Sequence, residues 1–136
     1  MAEHELVWPA GWQLSTEMLA SGRGRCRWAS RAVVVDRRLT PAERSATLAH
    51  EAVHASRGPC PGWARAGEEQ TVHALAARAL ISPAALASEL EWSPDPRVIA
   101  CDLGVTCDLV DARLDGLDVA EHARLWAVTA HHRDGA

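Results

Sequence analysis

Apolar residues Leu48, Ala52 and Ala55 recur at helical spacing in a stretch from Thr40 to Ala55 whose only helix breaker is Pro41, at its start. The pattern predicts a helix with unusually complete end signals. Thr40 is a good N-cap, Pro41 suits the first helical position, and Glu43 completes a capping box. Gly58 and Pro59 supply the stop. Thr47, His50 and His54 fall on a face beside the apolar stripe. A second helix is predicted from Gly67 to Ile81, with Val72, Leu75, Ala76, Ala79 and Leu80 as its apolar positions. Glu68 and Glu69 open its first turn, where the helix dipole favours carboxylates. The break from Gly58 to Gly67 is short enough to bring this helix back alongside the first.

Ahead of these helices, Arg25 to Ala29 and Ala32 to Asp36 read as two short strands, with Ser30-Arg31 as a tight turn between them. The stretch from Leu6 to Leu14 carries Trp8 and Trp12, candidates to cover one edge of the core, but its pattern predicts no definite element. Downstream, Ser82-Pro83 starts a short helix that ends near Trp92. Ser93-Pro94-Asp95-Pro96 breaks the chain and begins another at Pro96. Val98 to Leu114 reads as helix, turn at Gly104, helix. Asp118 and Glu121 make a capping box for a last helix to about Ala130, whose C-terminal dipole suits His131 and His132. The expected fold is α+β: mainly helical, with a small β-sheet or hairpin before the first long helix and a helical C-terminal extension. Residues 1–136 read as a single domain, with a core over about 24–92 and the extension over about 95–132.

At 136 residues and 48% hydrophobic content the chain is long enough to bury a core without disulfides, and its net charge of -4 fits an ordinary soluble domain. A general nucleic-acid binder would carry a basic patch, and none is evident. No basic region followed by an apolar stretch opens the sequence, and no apolar run approaches a membrane span, so the expected compartment is the cytoplasm. Cys26, Cys60, Cys101 and Cys107 lack the paired spacing of a structural zinc site and read as reduced, mostly buried thiols. The absence of Lys, Phe and Tyr, with abundant Ala and Arg, reads as coding bias.

The first helix carries His50-Glu51-Ala52-Val53-His54, an H-E-x-x-H. Residues four apart on a helix lie one turn above each other, so His50 and His54 can hold one Zn²⁺ together. Glu51 then falls beside the metal as general base. Catalytic zinc sites take three protein ligands and keep one position for water. Glu69 is the natural third ligand, and Glu68 is expected to face solvent. His73, one turn after Glu69, could orient a ligand, stabilise the transition state, substitute as a ligand, or simply sit nearby. With no tyrosine, oxyanion stabilisation falls to histidine, arginine or a backbone N–H; His73, His122, His131, His132 and the arginines are all eligible.

The two segments together resemble the ImmA/IrrE metallopeptidases, found largely in phages, mobile elements and bacterial regulators. That family pairs an H-E-x-x-H helix with a second helix of the form E-x-x-A-[ND]-x-F-A-x-x-L-L-M-P. Here the second helix runs from Glu69 to Ser82, with Pro83 one place late; Glu69 matches the family's metal-binding Glu. His73 stands where the family has Asn or Asp, Leu75 where it has Phe, and Val72 where it has Ala. The resemblance covers roughly Arg31 to Arg113. It implies a zincin-like domain that cuts a helix-turn-helix repressor of a phage or mobile element.

The residues by themselves support only a zinc hydrolase acting on a peptide-like bond. One alternative keeps the zinc without proteolysis, as a regulatory or interaction protein. A second is a DNA-binding regulator using Val98 to Leu114 as a helix-turn-helix. The would-be recognition helix carries Asp108, Asp111 and Asp115 against Arg113 alone, the wrong sign to approach phosphates. Zinc is favoured over iron or manganese by ligand type.

Overall fold

The computed structural model describes residues 8–134. Its element order is β1 (Gln13–Glu17), β2 (Gly24–Arg27), β3 (Ala32–Asp36), α1 (Pro41–Arg57), α2 (Arg65–Leu80), α3 (Pro83–Trp92), α4 (Pro96–Leu103), α5 (Cys107–Asp115) and α6 (Val119–Asp134), with a 3₁₀ turn over Gly62–Ala64. It is an α+β fold, mainly helical, with one three-stranded sheet.

The sheet order is β1-β3-β2, with β1 parallel and β2 antiparallel to β3. Val33, Val34 and Val35 are fully buried, as a continuous apolar run on a central strand should be. Val33 and Val35 share one face and pack with Ala55 of α1, flanked by Trp8, Trp12 and Leu48. Trp8 and Trp12 therefore do cover the core beside the sheet; Leu6 and Val7 lie outside the described residues. The hairpin is longer in its loop than a two-residue turn: Arg27 pairs with Ala32, leaving Trp28 to Arg31 as the connection. A two-residue turn needs positive φ at both central residues, which Ser30 and Arg31 adopt poorly. The longer loop requires it only at Arg31, with φ 52°. Trp28 leaves the strand to stack edge-on against Trp12, ring centroids 5.2 Å apart.

Thr40, Pro41 and Glu43 cap α1 as their sequence pattern predicts: Glu43 donates its N–H to Thr40 Oγ1 at 3.2 Å, and Thr40 donates its own to Glu43 Oε1 at 3.0 Å. Gly58 ends the helix at φ 95°. Helix α2 begins two residues earlier than the pattern suggests, and two of its expected core positions differ. Leu75 is exposed and Ala79 only half-buried, while Ala77, outside the expected set, is buried with Val72, Ala76 and Leu80. The buried face follows the helices that α2 meets, α1 on one side and α5 on another.

The main core draws on both halves of the chain: Ala49, Ala76, Ile81, Leu86, Ile99 and Val110 belong to one buried cluster. Helix α5 packs on α2 and α4, and α3 packs on α6. Helices α1 and α2 pack on each other, and Ala49 of α1 and Ala76 and Ala77 of α2 are fully buried in the shared core, small residues that favour a close approach of helices. Arg113, the one base of the would-be recognition helix, is buried. It donates Nε–H to the Ile81 carbonyl at 2.8 Å and pairs with Glu121. The charged residues that α5 shows to solvent are Asp108, Asp111 and Asp115. The cysteines differ from expectation too: Cys26 and Cys60 are half-buried and Cys101 and Cys107 are exposed, because the latter two fall on the outward faces of short helices. Among the described residues no helix is long and apolar enough to cross a membrane.

Candidate metal centre

Helical spacing stacks His50 and His54 on the side of α1 that faces α2, with ring centroids 4.8 Å apart. From α2, Glu69 reaches both rings. Its Oε2 lies 3.0 Å from His50 Nε2 and its Oε1 lies 2.8 Å from His54 Nε2. The three donor groups offer atoms all within 4.8 Å of one another. In a tetrahedral zinc site with bonds of roughly 2.0–2.1 Å, ligand atoms stand about 3.3 Å apart. The donor set is of the kind zinc takes, and its atoms lie near that spacing. Burial pushes the His50 imidazole down from its ordinary value, with His54 and His73 adding to it and Glu69 opposing it, which favours the neutral ring a metal needs.

Glu68 does not face solvent as expected. It forms a two-pronged ion pair with Arg57 at the end of α1, at 2.8 and 2.9 Å. The partner is one turn past His54 on the same helix, so the pair links the start of α2 to the end of α1 one residue before Glu69.

Glu51 sits about 100° round α1 from His50, toward β2 rather than α2. Burial raises its carboxyl above the ordinary range, with Glu69 adding to this and His54 and Cys26 opposing it. The Cys26 thiol lies 3.3 Å from the Glu51 carbonyl and 3.6 Å from Glu51 Oε1, donating to this residue from the edge strand. Burial and the neighbouring Glu51 push that thiol up to about 12, so it stays protonated and remains a donor. The close approach of β2 to α1 depends on Gly24. A Cβ there would lie 2.5 Å from Thr47 Cγ2 and 3.2 Å from Glu51 Cγ.

Beside the histidines opens a cleft of about 340 Å³, with His50, Glu51 and His73 on one side and Thr106, Asp108 and Leu109 of α5 on another. His73 stands next to His50, ring centroids 6.3 Å apart, outside the group of three donors and with no hydrogen bond to a ligand. His122 lines a different hollow, on α6. The side chains of His131 and His132 lie outside the described residues. Of the eligible cationic groups, His73 and Arg23 are the ones on the cleft wall.

The structure brings His50, His54 and Glu69 together as the sequence suggested, although Glu69 lies in the second turn of α2 rather than at its start. The sequence did not mark Cys26, Gly24 or Asp108 as part of the site. Only a glycine interrupting a strand pattern, a known sign of close backbone approach, could have pointed to Gly24. No family model, curated protein or solved structure matches the chain.

Proposed function

We propose that this protein is a zinc-dependent metallo-endopeptidase. The observation that carries the reading is the convergence of His50, His54 and Glu69, with His50 and the adjacent Glu51 both lining a cleft. His50, His54 and Glu69 would hold the ion, and the H-E-x-x-H spacing supplies Glu51 as the neighbouring base. Bound there, Zn²⁺ supplies Lewis-acid activation of water and polarisation of a carbonyl. Glu51 takes the proton of the attacking water on its carboxylate. Its raised affinity for that proton suits it to hold the proton and then deliver it to the leaving amine. Cys26 donates to Glu51 Oε1 and limits the carboxylate's rotation, leaving the other oxygen for proton transfer. His73, on the cleft wall beside His50, is the best-situated side chain to donate to a developing oxyanion.

The free edge of β2 runs beside α1 and suits an extended chain added as a further strand. The resemblance to ImmA/IrrE peptidases extends the reading to its substrate, a helix-turn-helix repressor, and to a cytoplasmic setting. Direct binding to DNA is no part of this reading: Arg113 is buried and α5 is acidic on its outward face.

The test is Glu51→Gln against wild type, both loaded with zinc and incubated with a mixture of random dodecapeptides read by mass spectrometry. The variant should keep its zinc and lose cleavage by roughly 100-fold or more. Equal cleavage by both, or a zinc-loaded wild type that cuts nothing, would overturn the peptidase reading.

A further inference from the structure

We propose that the cleft beside the metal centre is a side-chain subsite for arginine or lysine, and that Asp108 selects it. The inference rests on the peptidase reading and names the class of peptide that site takes. A ligand engaged at His50 and Glu51 has the cleft immediately beside it, since both residues form part of the cleft wall.

His73, Thr47 and Thr106 are polar parts of the remaining wall, and the rest, apart from two charged side chains, is small or apolar. Gly24, Ala46 and Ala76 leave width, and with the exposed margin of Leu109 they give an aliphatic stem apolar surface to lie against. The volume is of the size that holds a single long side chain with room for water. Besides Glu51 and the two histidines, one arginine and one aspartate line it, and they are not equivalent. Arg23 is occupied by Glu43, 3.1 Å away. Asp108 is exposed and has no ion pair among the described residues. Of the three outward acids on α5, Asp108 is the one that reaches the cleft. The uncompensated charge is therefore negative, and the complementary occupant is a side chain with an apolar stem and a cationic head. An acidic side chain would meet Asp108 and Glu51 with like charge and find Arg23 already paired.

Two zinc-chelating peptide hydroxamates, alike except for arginine or leucine at the residue next to the chelating group, test this by calorimetry on zinc-loaded protein. Metal content is measured on the same samples. The arginine compound should bind wild type roughly fivefold tighter or better, and the preference should shrink in high salt. Asp108→Asn should bring the ratio close to one, and Asp108→Arg should reverse it. Equal binding of the two compounds, a leucine preference, or an arginine preference that survives Asp108→Asn overturns the subsite while leaving the metal centre standing. Protein that takes up no zinc overturns the metal-centre reading and the subsite with it, and zinc-loaded protein that binds neither compound overturns the subsite alone.

Discussion

Glu51 is held by what lies across from it as much as by its own helix. Gly24 lets β2 come close enough for Cys26 to reach the carboxylate. Replacing Gly24 by Ala sets a methyl against the buried Thr47 side chain and the Val34 carbonyl, 3.1 Å away. The substitution should cost about 1–3 kcal/mol in urea unfolding, as overpacking does, and should slow cleavage by displacing Glu51. Unchanged stability and rate would mean that strand and helix separate freely. The Cys26 thiol, pushed up to about 12, should resist alkylation at pH 8, where only a thiolate reacts. Mass spectrometry after limited iodoacetamide should find the exposed Cys101 and Cys107 labelled before Cys26. Early labelling of Cys26 would contradict its position against Glu51. At this scale the sequence displayed the parts of the site that a single helix turn sets. His50, Glu51 and His54 are related by helical geometry alone. Cys26, Gly24 and Asp108 gain their roles from contacts between elements, and no local pattern records those.

The candidate metal ligands on α1 and α2 come together where the two helices pack, and Ala49 of α1 and Ala76 of α2 are fully buried in the same core. Ala76→Leu would overfill that core, with an expected cost of about 1–3 kcal/mol and a weaker hold on zinc, read by thermal melting and by competition with a chelator. A loss of stability without loss of zinc affinity would show that Glu69 reaches the histidines independently of helix spacing. Further along, Glu121 joins three helices: it accepts from Arg113 of α5 and from Arg78 of α2, the latter at 2.9 Å, and it caps its own helix through the Asp118 N–H. The Arg113 hydrogen bond above all holds its carboxyl down to about 2, below the ordinary 4.5. A depressed acid contributes stability above its unfolded value and loses it as pH falls through the folded one. Glu121→Gln should therefore cost about 3 kcal/mol at neutral pH. The gap to wild type should narrow between about 4.5 and about 2, as followed by circular dichroism. Helices α1, α3, α4 and α6 were legible because Thr40, Ser82, the Ser93–Pro96 break and Asp118 announce their starts by local chemistry; α5 was marked only by the turn at Gly104, and α2, with no capping side chain, was placed two residues late. Strand β1 was not legible. Gln13 to Glu17 offers only Leu14 as an apolar residue, and what makes it a strand is its pairing with β3, a contact far along the chain. Leu75 misled for the opposite reason: its spacing fits the apolar face, but no neighbouring helix covers it.

The core plus extension suggested by sequence is, in the fold, one continuous structure. Ile99, Leu109 and Val110 share a cluster with Ala49 and Ala76, and α5 supplies a wall of the cleft. A chain ending at Trp92 should thus fail to unfold cooperatively and fail to hold zinc; a cooperative, zinc-binding fragment would restore the two-part view. Zinc should in turn raise the melting temperature of the whole chain in proportion to the logarithm of its free concentration, because the unfolded chain lacks the assembled site. All of this depends on the triad of His50, His54 and Glu69, so the most direct measurement is metal content by elemental analysis, on wild type and on Glu69→Ala purified with zinc supplied. Close to one zinc per wild-type chain, with little or none in the variant, is the expected result. A wild-type protein that retains no zinc, or a variant that retains as much as wild type, would contradict the metal centre described here.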